Sequence, residues 1–367
     1  MTVLVTGAHG FIGKNLCAAL RTLGNIVVYE YDKDSGPAQL VQYAADCDFI
    51  FHLAGVNRPD DPAQFVQNQD VTALLIKCLQ QAKNCAPIVF ASSIQAQYNT
   101  PYANSKRTAE RLLLEYGHAH GARVLIYRLG NVFGKWSRPN YNSVVATFCS
   151  AAAKGQVLPV NDPDAVARLV YIDDVVDEFL RTLRLFTEMP SGIYAVHPIE
   201  AVTVGWLACC IAGFPQARTR GTLPDMGHLL TKRLYSTYLS HLPPEHLSFP
   251  LTVHADSRGA FAEFLRLNNG GQVSVNRIAP HQVKGGHYHH TKAERFLAVS
   301  GRGEITLTPL AGSAPAVIPI DGEHLTAVDI PPGMLHSIAN TAECDLVVLI
   351  WANEWFDASR PDTYRLP

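Results

Sequence analysis

The first twenty residues, MTVLVTGAHGFIGKNLCAAL, constrain the fold of this chain more than any other stretch. An apolar run ends in three glycines, Gly7, Gly10 and Gly13, spaced GxxGxxG, and amphipathic helix spacing follows at once. A buried strand must therefore turn sharply into a helix at this point. Without Cβ atoms the loop backbone can approach a pyrophosphate, to which the helix N-terminus offers free amides and a partial positive charge. A glycine pattern alone is weak evidence, but a second strand-like run, IVVYEYD, follows and ends at the acidic position expected of a dinucleotide site. Asp32 or Glu30 accepting from an adenosine ribose hydroxyl favours NAD, whereas Lys33 favours the 2′-phosphate of NADP, and both readings stay open.

Strand and helix patterns go on alternating. DFIFHLAG (48–55) reads as a strand, 62–83 as helical, and PIVFASS as a strand ending at Ser93. This predicts a Rossmann-type α/β domain, a doubly wound parallel sheet with ligand sites at the carboxyl ends of its strands. Tyr102 and Lys106 in YANSK lie one helical turn apart and share a face. A phenol that donates a proton near neutral pH gains from an adjacent ammonium that stabilises its phenolate, and Ser93 can hold a carbonyl oxygen. YxxxK by itself is more often a solvated helix face; behind a glycine loop and a strand-end serine pair it reads as catalytic.

Beyond a Pro-containing stretch, Tyr235 to Phe249, where helical patterning is expected to give way, short alternating β-rich runs are broken by glycine and proline. They predict a small all-β barrel or jelly roll. The boundary is set near 245, giving domains 1–245 and 246–367. Within the second, HYHHTKAERFLAVSG carries His287 and His289, alternating as on a strand so that both rings leave one face, then Glu294. His336 sits in PPGMLHSIAN, a Pro-Gly turn that brings it back from another strand. Three imidazoles and a carboxylate suit zinc or another divalent transition metal. The rival reading of the HxH is a His-rich surface loop.

At 367 residues and net charge −2, the chain has the size for two domains and no basic excess for nucleic acid. With no leader-like or membrane-length apolar segment, a cytoplasmic protein without a membrane partner is expected. Eight scattered cysteines read as reduced thiols.

The N-terminal half resembles the extended short-chain dehydrogenase/reductases. That resemblance makes Gly7, Gly10 and Gly13 the cofactor loop, Ser93, Tyr102 and Lys106 the catalytic triad, and HLAG, with His52 and Ala54, the segment passing the adenosine and ribose. Arg128 and Asn131 in YRLGNVFG, and Arg168 before VYIDD, match segments on the nucleotide-sugar side. Arg168 is either a diphosphate ligand or the partner of Asp173 or Asp174. Asn142 either meets the sugar or uracil or caps a helix. The 4,6-dehydratases of this family carry an Asp-Glu pair after the catalytic Ser/Thr; here Ile94 and Gln95 follow Ser93, which favours net hydride transfer over elimination.

The C-terminal half resembles the cupins through HxHxxxxExxxxxxG and PxGxxHxxxN, although the glycine usual before the second motif is displaced upstream to Gly322. More narrowly it is similar to the dTDP-4-dehydrorhamnose 3,5-epimerases through DSRGAFAEF, VSVNRI and KGGHYHH. Those enzymes use no metal and a histidine base matching His287, so His287 is either base or ligand; the complete ligand set favours ligand. His281, Lys284 and Tyr288 are then the nearby candidates for moving a proton.

Over its full length the chain resembles the bifunctional capsular-polysaccharide enzymes of the CapF and WbjC type, through VNRP (56–59), SSIQA (92–96), FGKW with PNYNSV (133–144), LYSTYLS (234–240) and WANEWFD (351–357). The resemblance implies C3 epimerisation of UDP-2-acetamido-2,6-dideoxy-4-hexulose in the cupin domain. C4 reduction with NADPH, or NADH, then gives UDP-2-acetamido-2,6-dideoxy-L-talose on the route to UDP-N-acetyl-L-fucosamine for capsule or O-antigen. It also implies a homodimer, which the open edges of a small barrel would favour. The alternatives are a plain C4 reductase whose cupin is a structural or oligomerising module, and a nucleotide-sensing protein without catalysis.

Overall fold

The computed structural model describes residues 1–58, 61–268, 270–310, 312 and 314–366; Pro59, which ends the VNRP segment, and Pro367 lie outside them. The chain forms two compact units, one of residues 1–213 with 229–243 and one of 214–228 with 244–367.

The first unit begins as its glycines require, with β1 (Thr2–Thr6) running into α1 (Phe11–Thr22). There follow β2 (Val27–Tyr31), α2 (Pro37–Asp46), β3 (Phe49–His52), α3 (Gln67–Ala82), β4 (Ile88–Ser93), α4 (Pro101–His120) and β5 (Val124–Leu129). Next come β6 (Asn131–Phe133), α5 (Val144–Ala153), β7 (Val166–Tyr171), α6 (Ile172–Leu185), β8 (Gly192–Tyr194), β9 (Glu200–Thr203), α7 (Val204–Thr219), which belongs to this unit up to Gly213, and α8 (Leu229–Ser240). The main sheet is parallel, in the order β2-β1-β3-β4-β5-β8, so strand order reverses between β1 and β3, which is where such sheets bind ligands. Alternate strand residues build two cores. Val3, Phe49, Val89 and Leu125 pack with α1 and α6 on one face; Leu4, Ile50, Ile88 and Val124 pack with α2, α3 and α4 on the other. Burial on both faces explains why these strands read as continuous apolar runs.

The segment expected to be helical over 62–83 starts as a 3-10 turn, Pro62–Val66, because Asp61 accepts from the Ala63 N–H ahead of α3. Helical order also outlasts the expected fade at Tyr235: α8 buries Leu230, Leu234, Tyr235 and Tyr238 at helical spacing and ends before Pro243.

The second unit is a two-sheet antiparallel barrel of cupin type. Its strands are β10 (Val253–Asp256), β11 (Gly259–Arg266), β12 (Gln272–Ile278), β13 (Val283–His287), β14 (Glu294–Ser300), β15 (Arg302–Pro309), β16 (Ala316–Asp321), β17 (Ala327–Ile330), β18 (Met334–Asn340) and β19 (Leu346–Ala352). One sheet runs β10-β11-β12-β19-β14-β17 and the other β13-β18-β15-β16. Inward residues such as Phe296, Ile305, Ile338, Val348 and Ile350 form the core, with outward positions more exposed, as period-two patterning requires. Residues 214–228 group with this unit, although the sequence boundary near 245 assigns them to the first. Long-range pairing is the cause: Arg266 of β11 donates its N–H to the Gly221 carbonyl (2.7 Å), and Leu223 donates to the Arg266 carbonyl (3.2 Å). Among the described residues no helix is long and apolar enough to cross a membrane, and the eight cysteines are unpaired.

Candidate active site and metal centre

The reversal of strand order opens a cavity of about 670 Å³ at the carboxyl ends of β1, β3, β4 and β5, lined by Gly7, Gly10, Gly13, Ser93, Tyr102 and Lys106 among others. Gly7 is left-handed (φ +71°), and a Cβ there would lie 2.7 Å from the Ala54 nitrogen; one on Gly13 would lie 2.1 Å from the Gly7 carbonyl oxygen. No other residue type fits this cradle. Gly10 caps α1 without a side-chain hydrogen bond, which leaves first-turn amides for a pyrophosphate. Asp32 fastens the loop from outside, accepting from the N–H groups of His9 (2.8 Å) and Lys33 (2.8 Å). Asp32 and Lys33 stand at the end of β2 without lining the cavity, and Lys33 is exposed.

Helix α4 is started by Thr100, whose hydroxyl accepts from the Ala103 N–H (3.2 Å), and its first turns carry Tyr102 and Lys106 into the cavity. Lys106 is 4 % exposed and donates Nζ to the Ala91 carbonyl at the end of β4 (3.1 Å). Burial pulls its pKa down to about 8, opposed by the nearby Glu110. The Tyr102 hydroxyl donates to Asn57 Oδ1 (3.2 Å). Burial pushes the phenol up to about 12, with the Ser93 hydroxyl drawing it back and Tyr141 adding to the rise. The expected lowering by Lys106 is thus not the controlling influence here, and the phenol holds its proton across the neutral range.

Asn57, the second residue of the VNRP segment, carries no catalytic role in the sequence reading. Its loop is fixed by Asn68, which accepts from the Val56 N–H (2.6 Å) and donates to the Val56 carbonyl (3.0 Å) and to the Ser105 hydroxyl on α4 (3.0 Å).

Several residues expected at the cofactor or sugar lie elsewhere. His52 is fully buried, with Nδ1 2.7 Å from the Thr6 hydroxyl and Nε2 3.0 Å from that of Thr72; burial, assisted by Lys106, takes its pKa down to about 3, so it is a neutral core histidine. Ala54 donates its N–H to Thr6 Oγ1 (3.3 Å), while its neighbours Leu53 and Gly55 line the cavity. Arg128 also does not line it: its guanidinium is bidentate on Glu110 (3.0 and 2.7 Å), whose carboxylate accepts from Ser92 Oγ as well (2.5 Å). This triad, buried at Ser92 and Glu110 and half-buried at Arg128, ties the end of β4 and β5 to α4 away from the cavity. Arg168 is exposed and pairs with neither expected aspartate, because Asp173 is held by Lys135 and Asp174 by Arg233. Asn131 lines the cavity and accepts from the Arg168 N–H (3.3 Å). Asn142 lines it too; the helix cap is the next residue, Ser143, which accepts from the Ala146 N–H (3.3 Å).

In the second unit the two cupin segments meet across β13 and β18, where His287 pairs with His336 opposite a bulge made by Gly285 and Gly286, both left-handed. His287, His289, Glu294 and His336 offer ligand atoms all within 4.8 Å of one another. Glu294 Oε2 lies 3.5 Å from His289 Nε2 and 3.2 Å from His336 Nε2. His289 Nδ1 is engaged by the Asp362 carbonyl and His336 Nδ1 approaches the Met334 carbonyl (3.3 Å), so the Nε2 lone pairs are directed inward. His289 Nε2 and Glu294 Oε2 are buried without a hydrogen-bond partner, a state that a coordinated divalent metal relieves. Burial, with His336 and His289 beside it, pulls His287 down to about 4. Burial pushes Glu294 up, but the facing imidazoles of His289 and His336 outweigh it and bring the carboxyl to about 2. Neutral imidazole and ionised carboxylate are the ligating forms.

The cluster borders a cavity of about 390 Å³ that also contains Lys284, Arg258, Arg365 and Asn276. Of the three proton-transfer candidates only Lys284 lines it. His281 is exposed and paired with Glu343 (3.1 Å), and Tyr288 bridges to Tyr364.

A dinucleotide-type sheet bearing Ser, Tyr and Lys, joined to a barrel bearing a three-histidine, one-glutamate cluster, defines a two-unit chain of the short-chain reductase and cupin kind. Residues 3–196 match the NAD dependent epimerase/dehydratase family, and residues 254–364 match the polysaccharide biosynthesis C-terminal domain. The chain is 42% identical over 366 residues, 99% of its length and 98% of the relative's, to the UDP-2-acetamido-2,6-beta-L-arabino-hexul-4-ose reductase of Pseudomonas aeruginosa. It superimposes on the crystal structure of the capsular polysaccharide assembling protein CapF from Staphylococcus aureus with a TM-score of 0.94, 40% identity and complete coverage of both chains. A Thermus thermophilus UDP-glucose 4-epimerase in complex with NAD shares the fold over 66% of this chain, with a TM-score of 0.55 and 22% identity. The chain belongs to the NAD dependent epimerase/dehydratase family, in the CapF-type branch that carries this C-terminal domain.

Proposed function

We propose that this is a bifunctional nucleotide-sugar enzyme. It inverts C3 of UDP-2-acetamido-2,6-dideoxy-4-hexulose in the second unit and then reduces C4 with NADPH in the first. The product is UDP-2-acetamido-2,6-dideoxy-L-talose, bound for UDP-N-acetyl-L-fucosamine. What supports this reading is one chain carrying two separate sets of groups, Ser93, Tyr102 and Lys106 lining one cavity and His287, Glu294, His336 and Lys284 lining the other, with His289 completing the ligand cluster behind it. The 4-keto amino sugar in the name of the Pseudomonas relative supports the substrate class.

The chemistry orders the steps. The C3 proton is acidic only while C4 is a carbonyl able to take up charge as an enolate, so epimerisation precedes reduction. When bound, a divalent metal such as zinc supplies Lewis-acid polarisation of that carbonyl, and reduced nicotinamide supplies the hydride. In the second unit Lys284 is the group assigned to proton transfer at C3. Its Nζ is held by Asn276 Oδ1 (3.0 Å) and the Arg277 carbonyl (3.1 Å), and burial lowers its pKa. In the first unit Ser93 holds the C4 oxygen, Tyr102 protonates it, and Lys106 orients the cofactor ribose and carries positive charge beside the phenol. NADPH is preferred over NADH because amides already occupy the Asp32 carboxylate while Lys33 stands exposed next to it. A cytoplasmic homodimer completes the proposal.

The test is Tyr102→Phe. Reduction should fall by at least about 10²-fold, the scale of a lost general acid, while solvent deuterium still enters C3. Loss of both activities would refute the division of labour.

A further inference from the structure

Residues 361–366 reach the metal cluster from a part of the sequence that no cupin motif marks. We infer that Asp362 is a positioning residue of the metal centre, its carboxylate clamping the loop 290–292 so that its own carbonyl orients His289 toward the metal. This rests on the reading of His287, His289, Glu294 and His336 as ligands.

The geometry is dense for a single side chain. Asp362 Oδ1 accepts from the His290 N–H (3.0 Å); Oδ2 accepts from the N–H groups of Thr291 (2.9 Å) and Lys292 (2.9 Å) and from the Thr291 hydroxyl (3.0 Å). The Asp362 carbonyl engages His289 Nδ1, 73 positions away in the chain. Asp362 is left-handed (φ +40°), a conformation that aspartate tolerates better than most residues, and one in which side chain and carbonyl address neighbouring residues of the same loop. Three further bonds hold the segment: Tyr364 and Tyr288 exchange N–H to carbonyl bonds (2.8 and 3.0 Å), and Lys292 Nζ donates to the Pro361 carbonyl (3.4 Å).

A ligating imidazole needs its second nitrogen fixed, because that bond sets both tautomer and ring direction. Among the described residues the Asp362 carbonyl is what fixes His289 Nδ1, and His289 Nε2 is left buried and unpartnered, facing the cluster. An outer partner of this kind is worth roughly 10–100-fold in metal affinity when removed. Asparagine in place of Asp362 keeps size and left-handed tolerance but has one acceptor oxygen for four donors; glycine keeps the backbone freedom and removes the clamp.

The experiment measures zinc affinity of the full chain, stripped of metal, by competition with a chromophoric chelator. It also records cobalt(II) visible spectra and the melting temperature in excess chelator. Asp362→Asn and Asp362→Gly should each bind zinc about 10–100-fold more weakly with a shifted cobalt spectrum, while the melting temperature in chelator stays close to the parent's. Unchanged zinc affinity, whether or not the metal-free protein melts earlier, overturns the proposal and leaves Asp362 a structural clamp. The ligand reading fails separately: if the parent does not take up one zinc per chain, or if His336→Ala binds zinc as tightly as the parent, both fall. If Asp362→Asn destabilises the metal-free chain, Asp362→Gly decides.

Discussion

The family resemblance places Arg128 at the substrate, and its burial against Glu110 makes the opposite prediction. In Arg128→Met the guanidinium leaves a carboxylate that is only 6 % exposed, with Ser92 as its remaining partner, whereas Arg128 itself is 30 % exposed and reaches water. Breaking a buried ion pair from one side costs roughly 3–5 kcal/mol, and the partial exposure of this one places it near ~3 kcal/mol. For a unit of this size ~1 kcal/mol corresponds to about 2–4 °C, so melting should fall by roughly 6–12 °C. Circular dichroism melts and saturation with the UDP-sugar would be run on the same preparation. The KM for the sugar should stay within about twofold, since Arg128 does not line the cavity. Replacing Glu110 by Met as well should recover part of the lost stability, because the carboxylate stripped of its guanidinium is then gone, and only part because Lys106 loses a nearby negative charge. A melting temperature within a degree of the parent's, together with a tenfold higher KM, would return Arg128 to the substrate and refute the structural assignment.

Gly13→Val should abolish dinucleotide binding measured by nicotinamide fluorescence, since even a Cβ would sit 2.1 Å from the Gly7 carbonyl oxygen; binding within threefold of the parent would contradict the cradle. His52→Leu should lose roughly 1–3 kcal/mol by removing one buried bond from each of the Thr6 and Thr72 hydroxyls while leaving cofactor affinity intact; weakened affinity at unchanged stability would restore His52 to the cofactor. Lys106 has a folded pKa of about 8 against an ordinary value of 10.5, so between those pH values the unfolded chain binds a proton that the folded chain has released. Its contribution to stability therefore rises with pH through that window, and urea titrations of the parent and Lys106→Met should diverge in the parent's favour between them; a pH-independent difference would contradict the burial. Lys284→Met should cut C3 deuterium exchange by about 10²-fold or more yet leave reduction of an already epimerised sugar intact; undiminished exchange would move proton transfer to another group.

Short-range chemistry was legible in the sequence. Gly7 and Gly13 are dictated by a turn that nothing larger fits, with Gly10 tight against the Gly7 carbonyl, Tyr102 and Lys106 by one helical turn, and His287 and His289 by strand alternation, so spacing read together with the flanking strand and helix patterns was enough to single them out. His336 could be found because a Pro-Gly turn marks it. What could not be read depends on partners far along the chain. Nothing near Arg128 announces Glu110, nothing near His52 announces Thr6 and Thr72, and nothing near Asp362 announces the loop at 290–292. The same holds for 214–228, whose attachment to β11 is a tertiary hydrogen-bond pattern rather than a property of its composition. Asn57 and Lys284 fall between these cases, since both lie beside legible motifs but acquire their placement from Asn68 and Asn276.

The central claim is that two sites on one chain act in a fixed order. Proton NMR of the protein with the UDP-4-keto-6-deoxy amino sugar in deuterium oxide, before and after adding NADPH, tests it most directly. The account predicts deuterium at C3 without cofactor, and NADPH oxidation with C4 reduction once it is added. Oxidation without prior exchange would contradict it and leave a C4 reductase with a structural cupin.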